Sequence, residues 1–302
     1  MIKLKKILDC NWLLSEVVVR NPKLFSDKNY LKALYYINFG RKLNLENPRT
    51  FNEKLNWLKL NDRKPLYTAL VDKYGVKEFV ASVIGEEYVV KSYGVWSFPN
   101  EIDFEKLPNR FVLKTTHDSA GPIICKDKST LDYEAAKQRM DQCLKNSLYL
   151  KTREWPYKNV KPRIIADEFL EDGSHTPDDA ISLIDYKFWC FNGEAKLVYI
   201  TVKDKNVFEN FYDKDFNPVN INHNFERHQP EFKKPERFEE MWELADKLSM
   251  ASQSPFVRVD FFNVRGNIFF GEFTFYDWAG LRPFASEEQD YELGSWINIQ
   301  NV

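Results

Sequence analysis

Hydrophobic and polar residues alternate most clearly in two runs, Phe256 to Phe262 and Ile268 to Phe275, on either side of a short connection bearing Asn and Gly. The pattern predicts two strands of an antiparallel hairpin. Strict alternation sets the faces: Arg258, Asp260 and Phe262 share one side of the first strand, and Phe270, Glu272 and Thr274 share one side of the second. A carboxylate from each strand can therefore converge. Leaving two carboxylates unpaired among Phe and Val is costly, so the expected counter-charge is Arg258, another basic group, or a hard divalent cation held by oxygen ligands. The alternative is a hairpin that carries both acids on a solvated face.

Earlier in the chain the period changes from two to that of a helix. Residues 1 to 70 read as helical, with Leu4, Ile7, Leu8, Trp12 and Leu14 at roughly helical spacing and Lys3, Lys5 and Lys6 elsewhere. Such a basic amphipathic start suits weak peripheral association with a membrane surface, or, more commonly, a helix packed on the core with a solvated lysine face. Thr50 and Glu53 are spaced as a capping box, and a further helix carries Val76, Phe79 and Val80 on one side, with Lys73 and Lys77 one turn apart and able to face the same anion.

Phe111 to Lys114 reads as a strand, Thr115 to Gly121 as a small polar loop, and Ile123 to Cys125 as a second strand. A helix follows over Leu131 to Asn146, then an apolar strand from Arg163 that runs into acids and ends at Gly173. Asp185 to Phe191 and Ala195 to Ile200 flank Asn192-Gly193-Glu194, a strong hairpin signal, and place Lys187 on one face with Asp185 and Trp189. Pro235 to Met250 forms an amphipathic helix with Phe238, Met241, Trp242, Leu244, Ala245 and Leu248 as its core stripe. The expected organisation is a helical segment over 1–70, a first lobe over 71–170 and a second lobe over 171–302.

At 302 residues, 43% of them hydrophobic, the chain can bury a sizeable core. Its 43 basic and 45 acidic side chains leave a net charge of −2, so no global basic field points to nucleic acid. The scattered Cys10, Cys125, Cys143 and Cys190 lack metal-like spacing, which fits a reducing cytosol. The apolar run Trp12 to Val19 is too short for a bilayer span and has no cleavage site, so neither secretion nor membrane insertion is expected and the location reads as cytoplasmic.

The candidate chemistry is local. Amides and hydroxyls of the loop at 115–121, including Ser119 and Gly121, form a flexible tip able to wrap a polyphosphate, with Lys114 supplying a fixed charge. Neither a G-x-x-x-x-G-K-[ST] nor a G-x-G-x-x-G motif occurs. His117 reads as a surface histidine or a phosphate donor. Asp213 and Asp215 could chelate a metal for sugar-nucleotide chemistry, though an acidic turn is the commoner reading. Tyr276, Asp277, Trp278 and Arg282 either floor an acceptor pocket or form an aromatic turn on the core.

The succession DK at 72–73, VLK at 112–114, ADEFLEDG at 166–173, DYKFWCFNG at 185–193, and VRVDFF to FFGEFTF resembles the ATP-grasp superfamily. TFNEKLNWLKL at 50–60 and FTFYDWAG at 273–280 are similar to the TupA-like family linked to teichuronopeptide and capsule synthesis; the likeness spans about residues 40 to 300. It implies an α+β fold in which two lobes with antiparallel sheets clasp ATP, with Lys73 and Lys114 on phosphates and Glu168, Phe169 and Leu170 on the nucleoside. Glu171 would take the ribose. Asp260 and Glu272 would be ligands of Mg2+, joined by Thr274 where many relatives have Asn, and Arg258 would contact phosphate, with Lys187 reaching into the cleft. The implied reaction joins a carboxylate to an amine through an acyl phosphate, the carboxylate being a uronic acid or similar group of a surface polysaccharide. The rivals are a glycosyltransferase and an idle nucleotide-binding module.

Overall fold

A computed structural model describes residues 10–119, 121–171, 183–203, 207–300 and 302. Helices α1 (Cys10–Arg20), α2 (Asp27–Phe39), α3 (Phe51–Asn61), α4 (Pro65–Val71) and α5 (Val76–Ile84) come first. Local chemistry marks their ends. Ser26 caps α2 by accepting from the Asn29 amide, Gly40 closes it in the left-handed region at φ 68°, and Thr50 and Glu53 form the expected capping box on α3. The helix expected around Lys73 is broken: α4 ends at Val71 and α5 starts at Val76, so Lys73 lies in the turn between them.

Four antiparallel strands follow, β1 (Ser92–Trp96), β2 (Phe111–Thr115), β3 (Ile123–Cys125) and β4 (Ile164–Glu168), in the order β1-β4-β2-β3. Helices α6 (Tyr133–Leu144) and α7 (Leu148–Thr152) lie between β3 and β4 in the chain. A six-stranded antiparallel sheet then forms from β5 (Asp185–Phe191), β6 (Glu194–Lys203), β7 (Val207–Tyr212), β8 (Pro218–Val219), β9 (Phe256–Val264) and β10 (Asn267–Thr274), in the order β10-β9-β5-β6-β7-β8. Both of its tight hairpins turn through paired positive φ values, Asn192-Gly193 and Arg265-Gly266, the geometry that matches strand twist. Helix α8 (Phe238–Ser252) and helix α9 (Glu287–Trp296) complete the α-helices among the described residues.

Burial divides the chain differently from the expected boundaries at 70 and 170. Phe51, Leu55 and Leu58 of α3 and Val76 and Val80 of α5 share one apolar core with β5, β6, β9 and α8. The smaller core gathers Phe104, Phe111, Leu113, Met140, Ile164 and Ala166. The reason is area: the six-stranded sheet has two faces to cover, and one helix cannot cover both. Its second face is sealed by Trp189, fully buried against Phe51 at a ring separation of 4.9 Å and Phe211 at 5.0 Å.

The amphipathic reading of the N-terminus is met only in part. Leu14 is 65% exposed while Ser15 is buried, so α1 turns part of its apolar stripe outward, and Leu4, Ile7 and Leu8 lie outside the described residues. Among the described residues no helix is long and apolar enough to cross a membrane.

Candidate active site

The hairpin forms as expected, but a bulge decides its faces. Phe270 pairs with Phe261 while Phe273 pairs with Val259, a one-residue shift centred on Gly271 and Glu272. Phe270 thereby faces the core with Phe261, contrary to simple alternation, and Glu272 turns to the side of Arg258 and Asp260. Without the bulge Glu272 would sit opposite Val259 and point into the core. Gly271 suits the position because a Cβ there would lie 3.1 Å from the Asp260 carbonyl and 3.3 Å from its side chain.

Arg258 is the hub of the site. Its Nε and Nη2 donate to the two oxygens of Asp260 at 2.7 and 2.6 Å, Nη2 also reaches Glu272 at 3.1 Å, and Nη1 donates to Asp277 at 2.7 Å and to the Tyr199 hydroxyl at 3.1 Å. Tyr199 in turn donates to Asp277 at 2.7 Å. Asp260 is 1% exposed; burial pushes its carboxyl upward while Arg258 pulls it back. Burial also acts to raise Glu272, yet Lys73 first and Arg258 next outweigh it and hold the group at about 2. A carboxylate held below its ordinary 4.5 stabilises the fold above that pH and loses the contribution as pH falls through about 2. Glu272→Gln should therefore flatten this part of the acid-unfolding curve, read as urea midpoints above pH 4.5 and near 2; an unchanged acid branch would contradict the ion pairing.

Lys73 joins the lobes. Its Nζ donates to the Asp118 carbonyl at 3.0 Å in the first lobe and lies 3.4 Å from Glu272 in the second. Lys77 does not share that anion: it contacts Asp167 at 3.0 Å and the Val90 carbonyl at 2.6 Å. Lys187 projects beside the hub, paired with Asp185. A cleft of about 640 Å³ opens over these groups, lined by Lys187, Arg258, Glu272 and Thr274 from the six-stranded sheet and by Ser119 and Glu154 from the other side.

Other expected residues stand apart from this cleft. Lys114 pairs with Asp167 at 2.9 Å, and Lys77 and Ser92 also hold that carboxylate; burial would raise Asp167, but Lys114 and Lys77 keep it below its ordinary value. Glu168 ends β4, Phe169 lies under the Arg110 guanidinium at 4.2 Å, and Glu171 pairs with Arg110 at 2.7 Å on the surface. Neither these residues nor Leu170 lines the cleft.

The loop at 115–121 is not the flexible tip that its composition suggests. Thr115, Thr116, His117 and Asp118 are buried: Thr115 donates to Asp118 at 2.5 Å, Asn146 donates to Asp118 at 3.0 Å, and His117 contacts the Asn146 carbonyl at 3.2 Å. Only Ser119 and Gly121 are exposed among the described residues of the loop. Asp213, read as half of a metal-chelating pair, accepts from the amides of Asp215 and Asn217 at 3.0 and 2.8 Å, which makes it an Asx turn.

The magnesium set Asp260, Glu272 and Thr274 fits in part. Both Asp260 oxygens are occupied by Arg258, and the Thr274 hydroxyl is directed at Glu272 at 3.4 Å. Among the described residues no group of three His, Cys, Asp or Glu could hold a metal ion. Glu272, its side chain 36% exposed, is the ligand that remains, and magnesium commonly takes one or two carboxylates together with substrate phosphates.

Sequence reasoning missed the buried polar stripe of α3. Asn52, Asn56 and Lys59, at i, i+4 and i+7, donate to Arg282 O at 3.2 Å, Gly280 O at 2.7 Å and Ala279 O at 2.7 Å. They clasp a turn in which Trp278, Ala279 and Gly280 all have left-handed φ (46°, 56° and 58°). The helical spacing of those three polar residues was the available signal. The two segments that carried the narrower resemblance, 50–60 and 273–280, are thus packed on each other.

Two antiparallel lobes meeting at a cleft lined with lysine, arginine and carboxylate define a protein of the ATP-grasp fold class. The chain belongs to the TupA-like ATP-grasp family, whose model matches residues 53–298. No curated protein matches it. Solved structures similar to it include D-alanine-D-alanine ligase from Helicobacter pylori, at 13% identity and TM-score 0.42, covering 76% of this chain and 61% of that one. D-cycloserine synthetase DcsG is 12% identical with TM-score 0.41, covering 74% of this chain and 70% of that one. The ATP complex of the Bacillus anthracis D-alanine–D-alanine ligase is 11% identical with TM-score 0.39, covering 75% and 65%. The chain spans less than two thirds of the length of the first and last of these.

Proposed function

We propose that the protein is an ATP- and Mg2+-dependent carboxylate–amine ligase that works through an acyl phosphate. Its substrate acid is read as a uronic acid or similar carboxylate of a bacterial surface polysaccharide, and its place of work as the cytoplasm. The observation that carries the proposal is the Arg258 hub: its guanidinium and Lys73 bracket Glu272, and Arg258 and Glu272 line one cleft.

A carboxylate is a poor acyl donor because expelling oxide is uphill, whereas its acyl phosphate has a stable leaving group. Transfer of a phosphoryl group is mainly a matter of position and charge neutralisation. Arg258 is oriented for this by Asp260, Asp277 and Tyr199, so its position needs no reorganisation during reaction. Lys73 and Lys187 add positive charge from two more directions. Glu272 would hold the cation, which supplies charge neutralisation between phosphates. Lys114 and residues Glu168 to Glu171 would serve the nucleotide on the first lobe.

The test is a nucleotide panel, with thermal shift and ADP release read with and without magnesium over uronic acids and amines. Magnesium-dependent stabilisation by ATP and acid-dependent ADP release are expected, both abolished in Glu272→Ala. Full ADP release in that variant would overturn the role of Glu272; binding of UDP-sugars in place of ATP would overturn the ligase reading.

A further inference from the structure

Part of the cleft wall is built from two left-handed turns fastened by one buried lysine. Arg153 has φ 57°, and Trp278 and Ala279 have φ 46° and 56°, conformations that non-glycine residues hold only where their surroundings enforce them. Lys59 Nζ supplies the enforcement, donating to Thr152 O at 2.8 Å on one turn and Ala279 O at 2.7 Å on the other. The left-handed residue also separates its neighbours. Arg153 is held against the N-terminal helices, its guanidinium 4.0 Å from the Tyr30 ring and bonded to the carbonyls of Leu150 and Pro22, whereas Glu154 lines the cleft.

Glu154 is 6% exposed, bonded to the Thr152 side chain, with Lys59 as its first counter-charge and Arg258 as the next. The same cleft is lined by Tyr157, Tyr199, Tyr276 and Trp278, and the Glu154 charge acts on Tyr157 and Tyr276. A buried carboxylate flanked by aromatic faces suits a cation, which gains from both. The same cleft carries Arg258 and Lys187, and the charges of Lys59, Arg258 and Glu272 act on Glu154, so acids and bases stand close together in it.

We propose that this part of the cleft binds the acceptor amine as its ammonium, with Glu154 as the carboxylate that holds it and takes its proton. The inference rests on the ligase reading and deepens it. A primary amine is protonated at neutral pH and cannot attack. Glu154 accepts one proton from R–NH3+; the nitrogen lone pair then forms the C–N bond to the acyl carbon. The C–O bond to phosphate breaks, its electron pair leaves with the phosphate, and that group carries off the second nitrogen proton as HPO4²⁻. Burial pushes the Glu154 carboxyl upward, with Lys59 opposing, which makes it a stronger base than a surface carboxylate.

The experiment compares charged and neutral probes of one shape on the full chain by saturation-transfer NMR: glucosamine against glucose, ethanolamine against ethylene glycol. The amines should bind about tenfold tighter than their neutral partners, Glu154→Gln should erase that preference, and Glu154→Asp should restore part of it. Circular dichroism confirms that both variants fold. Equal binding of charged and neutral probes, or a preference untouched in Glu154→Gln, would overturn the proposal. The readout needs no nucleotide, so its failure is separable from that of the ligase reading. An amine preference in a chain that ignores MgATP would leave the cation site standing and remove the ligase. MgATP-dependent ADP release without any amine preference would do the reverse.

Discussion

Arg258→Ala will destabilise the protein by about 3–5 kcal/mol, the loss typical when one partner of a buried charge network is removed. The guanidinium answers three carboxylates at once, and two of them, Asp260 and Asp277, are buried at 1% exposure each. Deleting it leaves both charges in a low-dielectric interior, where Tyr199 satisfies only one oxygen of Asp277 and the other has no hydrogen bond, its neighbour being His223 Nε2 at 3.9 Å. Part of the loss will be relieved by protonation of the acids, so the deficit should shrink as pH is lowered. Arg258→Lys should recover only a fraction, because an ammonium cannot reproduce the two-point contact with Asp260. Urea unfolding at two pH values measures this; a variant within about 1 kcal/mol of wild type at neutral pH would show that the hub is not a buried network.

Lys59→Ala is expected to have an effect of similar size, about 3 kcal/mol or more, through different groups. Lys59 is fully buried, its Nζ is the donor to two turn carbonyls, and burial pulls the ammonium down to about 8 with Glu154 opposing. Alanine removes the donor from Thr152 O and Ala279 O and leaves a cavity beside Tyr276. Lys59→Met fills the cavity without supplying the hydrogen bonds, so the difference between the two variants separates packing from polar fastening. If methionine matched wild type, the fastening of the two turns would contribute nothing. A coupling of at least about 0.5 kcal/mol in a Lys59/Glu154 double-mutant cycle checks that the two act together.

Much of the fold was legible because its signals are local. Asn192-Gly193 and Arg265-Gly266 set hairpins whose strands alternate visibly, and Thr50 with Glu53 announced the start of α3. The site was legible only where a residue's direction follows from its own strand. Arg258 and Asp260 obeyed alternation along β9; Glu272 reached them by way of a bulge, a change of register that no periodicity displays. Lys73 and Lys77 failed as a pair because the helix presumed to align them starts after Lys73. Composition likewise misread Thr115 to Asp118, which are buried, with Thr115, His117 and Asp118 bonded within the loop and to Asn146, while Ser119 and Gly121 stay exposed.

The sequence by itself determined the element types, the two hairpins, the apolar stripe of α8 and the family resemblance, all of which depend on residues near one another in the chain. Tertiary structure alone decided that α3 to α5 complete the core of the second sheet, that Asp260 answers Arg258, and that Lys59 binds two distant turns. The physical reason is that a buried charge or donor must find its partner wherever packing brings one within about 3 Å, and that partner carries no mark of its sequence distance.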